Sequence, residues 1–142
     1  MNVATILKAK GSDVETVGPD MKLGEVARLL AAKRIGAVLV MEGQHLIGIL
    51  SERDIVKTIG HSGVEAFERT AHEIMTARIA TCHLNDSVDE LMDKMTEGRF
   101  RHLPVIENGQ LAGIISIGDV VKHHTAKAVM ETEALRLYIS SS

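Results

Sequence analysis

Gly48-Ile49-Leu50-Ser51-Glu52-Arg53-Asp54 returns later in the chain as Gly113-Ile114-Ile115-Ser116-Ile117-Gly118-Asp119. In both stretches a short aliphatic run meets a hydroxyl residue, and a carboxylate follows three positions on. That pattern predicts a strand passing directly into the N-terminus of a helix.

The similarity extends over 42 aligned positions without a gap, Thr16–Lys57 against Thr81–Lys122. Twelve pairs are identical: Thr16/Thr81, Glu25/Glu90, Arg34/Arg99, Val40/Val105, Glu42/Glu107, Leu46/Leu111, Gly48/Gly113, Ile49/Ile114, Ser51/Ser116, Asp54/Asp119, Val56/Val121 and Lys57/Lys122. Ordinary usage would give roughly two or three by chance. The chain is an internal duplication.

Each copy predicts the same element order. Asp20 and Asn85 stand as helix N-caps. Leu23, Val26, Ala27 and Leu30, like Val88, Leu91, Met92 and Met95, then recur at helical spacing. Two apolar runs follow in each copy, Ala37–Met41 with Leu46–Leu50 and Leu103–Ile106 with Leu111–Ile115. The intervening Glu42-Gly43-Gln44-His45 and Glu107-Asn108-Gly109-Gln110 are turns, Asn-Gly being a strong hairpin signal. The reading is strand, helix, strand, turn, strand, helix, twice, in a mixed α/β (α+β) fold.

A half of about 55 residues is marginal alone, so the two βαββα halves are expected to pack through their sheets, leaving clefts between them. The expected division is 1–62 as the first repeat with an N-terminal segment, 63–75 as a linker helix, 76–125 as the second repeat and 126–142 as a helical tail. Thr70-Ala71-His72-Glu73 has capping-box form. Val120–Ile139 reads as an extended or broken helix. Its Val129, Leu135, Leu137 and Ile139 suit either a partner surface or packing on the chain's own module, and the second is the expectation.

Composition excludes several function classes. The net charge is −3, with no basic stripe, which argues against nucleic acid. Phe67, Phe100 and Tyr138 are the only aromatics, too few for a base-stacking platform, and they leave the core to aliphatic residues. Cys82 is the single cysteine, so no intrachain disulfide forms. No run approaches the roughly 20 apolar residues that span a bilayer, and Val3–Leu7 is too short for a signal peptide. A cytoplasmic protein without membrane partners is expected.

Chemistry concentrates at the repeated corner. Helix N-terminal N–H groups attract phosphate, the serine adds a hydrogen bond, and a carboxylate can accept ribose hydroxyls. Ser-x-x-Asp is also close to a capping box, in which both side chains merely satisfy backbone donors. The spacing alone does not choose between these readings.

The order of Gly48-Ile49-Leu50-Ser51-Glu52-Arg53-Asp54, Glu73-Ile74-Met75-Thr76 and Arg101-His102-Leu103-Pro104-Val105 resembles a tandem pair of cystathionine-β-synthase (CBS) domains, the Bateman module. More narrowly, the chain resembles the short stand-alone bacterial two-CBS proteins. The resemblance covers nearly the whole chain and implies two repeats related by pseudo-twofold symmetry. It further implies that Ser51 and Asp54, and Ser116 and Asp119, hold the ribose and phosphate of an adenosine nucleotide: AMP, ADP/ATP or NAD(H). The base would lie against Thr16-Val17 with Gly36-Ala37-Val38, and against Thr81-Cys82 with Arg101-His102-Leu103-Pro104, partly through backbone. Homodimerisation is implied as well.

The copies are not equivalent. Arg53, a phosphate partner or a solvated helix residue, is matched by Gly118. Arg101 and His102, phosphate partners or turn residues, are matched by Gly36 and Ala37. Other chemistry is lacking. His123-His124 point in different directions on a helix, His72-Glu73 lacks the second histidine of a zinc-protease helix, and no phosphate-loop motif occurs. No catalytic residue, metal ligand or catalytic cofactor is nominated. The expected function is a nucleotide sensor acting on a separate, unidentified protein or on its own assembly. A ligand-free interaction scaffold and a nucleotide hydrolase are the alternatives.

Overall fold

The computed structural model describes residues 1–141 and divides into two compact units, Asp13–Ile79 and the combination of Met1–Ser12 with Ala80–Ser142. It is a mixed helix-and-strand fold with two small sheets. The N-terminal segment, expected with the first repeat, therefore packs with the second.

In Asp13–Ile79 the sheet order is β1(Thr16–Val17), β2(Ala37–Glu42), β3(His45–Ser51). β1 runs parallel to β2, with Thr16 opposite Leu39 and Val17 opposite Val40. β2 and β3 are antiparallel from Ala37–Ser51 to Glu42–His45. Ala37, Val38, Leu39 and Val40 are all buried, the continuous apolar run of a strand covered on both faces. Helix α2(Leu23–Lys33) contributes Leu23, Val26 and Leu30 to the same core as Val38, Val40, Leu50 and Ile55. α3(Glu52–Ser62) leaves β3 directly, followed by a 3-10 turn over Gly63–Glu68 and the short α4(Ala71–Ile74). Thr70 and Glu73 form the expected capping box on α4.

The second unit repeats this with α5(Val88–Gly98), β4(His102–Glu107), β5(Gln110–Ser116) and α6(Ile117–Ser141). β4 and β5 pair from His102–Ser116 to Glu107–Gln110. Both hairpins carry a register shift at the same place, after Val40 and after Val105, so the duplication preserved the bulge. The turns differ: Asn108 and Gly109 both have positive φ, 52° and 75°, whereas in the first turn only Gly43 does, at 61°. Asn-Gly thus makes the primed type I turn, and a leading glycine makes the primed type II. The expected first strand of the second repeat is reduced to one parallel bridge, Cys82 to Val105.

The cap assignments need correction. Lys22 and Ser87, not Asp20 and Asn85, are the N-caps of α2 and α5. Ser87 accepts from the Glu90 N–H at 3.0 Å. Lys22 needs no side-chain cap, because the carbonyl of Arg69 accepts the Leu23 N–H at 2.8 Å. Asp20 and Asn85 sit in the turns just before.

α1(Val3–Lys10) explains why the N-terminus joins the second unit. Asn2 caps it, Gly11 (φ 98°) ends it, and Val3, Ile6 and Leu7 are buried with Val88, Leu91, Leu103, Ile115 and Val120. Val3 and Ala4 donate their N–H groups to Asp86 and Leu84 carbonyls at 2.9 and 3.0 Å. These partners absorb orphan donors of the first turn.

α6 is one unbroken helix of 25 residues. Its start rests on α5, where Lys127 reaches Asp89 at 3.1 Å. Val129, Met130, Leu135, Leu137, Tyr138 and Ile139 are exposed, between 55% and 73%. The expectation that this tail packs onto its own module is not met; the helix simply outruns the surface that could cover it. Among the described residues no helix is long and apolar enough to cross a membrane.

Candidate functional site

In the first corner Ser51 ends β3 in extended conformation, and its hydroxyl accepts the Asp54 N–H at 3.3 Å. Asp54 Oδ2 accepts both the Ser51 N–H at 2.9 Å and the Ser51 hydroxyl at 3.0 Å. The second corner is nearly superposable in its bonds: Ser116 Oγ accepts from Asp119 N at 3.2 Å, and Asp119 Oδ2 accepts from Ser116 N and Oγ, both at 2.9 Å. Both pairs are capping boxes. The capping reading left open by the spacing is thus real at both corners.

Capping does not exhaust them. In each carboxylate a single oxygen, Oδ2, takes every bond, and Oδ1 has no partner among the described residues. An ionised carboxylate offers about four acceptor positions, so each aspartate retains capacity for hydroxyl donors. The helix ends are less open than expected. The Glu52 N–H donates to Gly36 O at 2.9 Å and the Ile117 N–H to Arg101 O at 2.8 Å. Of the early donors only the N–H groups of Arg53 and Gly118 remain without a partner among the described residues.

The register brings some nominated residues to each corner and separates others. Gly36 and Ala37 flank Ser51 directly, Ala37 being its partner across the hairpin, and Val38 lies opposite Leu50. Thr16 and Val17 lie on the far side of β2 from Ser51, since β2 is the middle strand. In the second unit Arg101 and His102 flank Ser116, with His102 opposite it. Thr81 precedes Cys82, whose N–H donates to Pro104 O at 2.9 Å.

Burial removes several side chains from direct contact with anything outside. Val17, Val38, Cys82 and Leu103 are core residues, and Ala37 is 7% exposed. Only the backbone of these positions is available. Burial, with the charge of Asp86 assisting, pushes the Cys82 thiol up to about 12, so it is not a thiolate. Arg53 and Arg101 are exposed and in no ion pair among the described residues.

One residue escaped the sequence reading. Lys10, the last residue of α1, places its Nζ 2.7 Å from Asp119 Oδ2 and 3.0 Å from the Ile114 carbonyl oxygen. Burial alone would raise the Asp119 carboxyl, but the Lys10 ammonium and the Ser116 N–H and hydroxyl outweigh it and hold it below the usual range. Among the described residues Asp54 is in no ion pair. The repeat could not reveal this, because the aligned position in the other copy is Met75. Alongside the first corner, an open groove of about 520 Å³ runs between α2 and α3 from Gly36 and Glu52 past Leu30, Ile55 and Val56.

A family model described as CBS domain matches residues 9–61 and again 71–125. A solved CBS-domain-containing protein from Agrobacterium tumefaciens is 48% identical, with 87% of this chain and 99% of that one covered and a TM-score of 0.85. A CBS domain pair solved in complex with 5′-methylthioadenosine and S-adenosyl-L-methionine is 25% identical over 89% of this chain and 98% of that one, TM-score 0.78. An uncharacterised 17.7 kDa protein of Acidianus ambivalens is 32% identical over 111 residues, 77% of this chain. The chain spans 66% of that relative's length and about a fifth of several Arabidopsis thaliana CBS-domain proteins.

Proposed function

The chain belongs to the CBS-domain family, whose pairs are regulatory modules, and on that premise we propose that it binds an adenosine nucleotide and passes the signal on. The ligand is AMP, ADP/ATP or NAD(H), and the corners Ser51/Asp54 and Ser116/Asp119 hold its ribose and phosphate. One observation carries the reading. Each aspartate spends a single oxygen on its own helix end and keeps the other available beside a serine hydroxyl and one unengaged helix N–H. A carboxylate oxygen accepts ribose hydroxyls, and a helix N–H suits a phosphate oxygen. The 5′-methylthioadenosine and S-adenosyl-L-methionine of a related pair support the adenosine part of this reading.

Binding would act by favouring one arrangement of the module or of its assembly over another. The role is non-catalytic, exerted in the cytoplasm on a separate protein or through a homodimer. The aliphatic groove between α2 and α3 supports an isologous contact with a second copy.

Mass spectrometry of nucleotide carried through purification, followed by isothermal titration with AMP, ATP and NADH, tests the reading. Saturable heat with at least one of them, lost in the joint Asp54→Asn and Asp119→Asn variant, is the expected result. Heat with none would favour the scaffold alternative, in which both corners only cap helices and the exposed half of α6 is the working surface.

A further inference from the structure

The two corners have the same cap but not the same charge. Asp54 is in no ion pair among the described residues, whereas Asp119 is paired with Lys10 at 2.7 Å. The lysine is not a chance surface contact. α1 is fixed by Val3, Ile6 and Leu7 in the core, Leu7 lies against Gly113, and Lys10 follows one helical turn later. Its side chain is 31% exposed and that of Asp119 is 21% exposed, so the pair is half-buried and still open to solvent.

An ammonium has three N–H donors. Two are used, on Asp119 Oδ2 and the Ile114 carbonyl oxygen. The third has no partner among the described residues and sits at the carboxylate assigned above to the ribose. A ligand whose ribose hydroxyls meet Asp119 Oδ1 would sit beside the carboxylate that this ammonium holds.

We propose that Lys10 sets the charge class of the ligand taken at the second corner. It favours adenosine compounds with an anionic phosphate over neutral adenosine or a sulfonium compound such as S-adenosyl-L-methionine. The inference rests on the nucleotide reading of the corners. The physical reason is that Lys10 neutralises Asp119, removing the repulsion a phosphate would meet. It also offers a charge-assisted hydrogen bond from a position held before the ligand arrives. The first corner, where Asp54 is in no ion pair among the described residues, lacks this preference.

The test uses the full chain with Asp54→Asn, so that the second corner dominates, titrated with AMP, adenosine and S-adenosyl-L-methionine, with and without Lys10→Met. AMP binding should weaken about tenfold or more while adenosine changes little, and Lys10→Arg should restore most of the AMP affinity. Unchanged AMP affinity, or an equal loss for adenosine, would overturn the role of Lys10 and leave the nucleotide reading standing. Tighter AMP binding in Lys10→Met would overturn it too, by showing that the lysine plugs the corner. No binding of any ligand by the unsubstituted protein would remove the nucleotide reading and this inference together.

Discussion

The glycines Gly48 and Gly113 occupy the same place in two related sheets, yet they are covered by different kinds of chain. A Cβ on Gly48 would strike the side chain of Met75, which belongs to an extended segment whose Thr76 pairs with Ile49. A Cβ on Gly113 would lie 2.8 Å from Leu7 Cδ2, on a helix. Both sheets need a cover at the missing side chain. The helical cover ends on Lys10 at Asp119, whereas among the described residues the extended cover brings no cation into an ion pair with Asp54. The ion pair that distinguishes the second corner is therefore made by the segment laid over its sheet, outside the duplicated stretch, and it adds to the differences at Arg53/Gly118 and Gly36/Arg101 within it.

The largest effect should come from breaking one cover. Leu7→Ala removes a side chain only 6% exposed and should cost about 2–4 kcal/mol in urea unfolding. Met75→Ala, at a half-buried position, should cost clearly less. Equal losses would mean that the two covers are equivalent and that the helix confers nothing special on the second corner.

A smaller effect concerns acid. Asp119 titrates below the usual carboxylate range in the folded protein, so between its folded and unfolded pKa the unfolded chain binds the extra proton. Its contribution to stability is present above the ordinary carboxylate pKa, near 3.9 for aspartate. That contribution is lost as pH falls through the lower, folded value. Carboxyl NMR titration should show Asp119 as depressed, and Lys10→Met should move it up. A resonance that ignores Lys10→Met would detach the ion pair from the shift.

The smallest effect lies inside the two cores. Cys82 aligns with Val17, and both are buried in their units. Cys82→Val should change stability by under about 1.5 kcal/mol and leave nucleotide affinity unaltered. In the unsubstituted protein the thiol should resist alkylation at pH 8 until the chain is unfolded, since burial keeps it protonated.

Much of this was legible before folding. The duplication, the strand-into-helix corners, the hairpins and the Thr70 capping box all follow from local patterns that tertiary contacts did not override. The cap at Lys22 is invisible in the sequence because it owes its place to a distant carbonyl, that of Arg69, whereas Ser87 with Glu90 three residues on is a local signal that Asn85 overshadows. Arg34 and Arg99 are an identical pair whose shared reason is invisible in sequence. Both take the left-handed conformation ending a helix, φ 55° and 57°, where glycine is the usual signal.

The amino-acid sequence by itself determined that there are two copies of one unit, what elements each contains and where a hydroxyl and an acid meet a helix end. Those features depend on neighbours within a few residues and on a period that can be read off the chain. Only the tertiary structure decided which segment covers which sheet, and hence that Lys10 meets Asp119 across 109 positions. The apolar face of α1 requires burial somewhere, but its destination depends on the fit of Leu7 to the gap at Gly113, and such shape complementarity between distant residues exists only once the sheet is built.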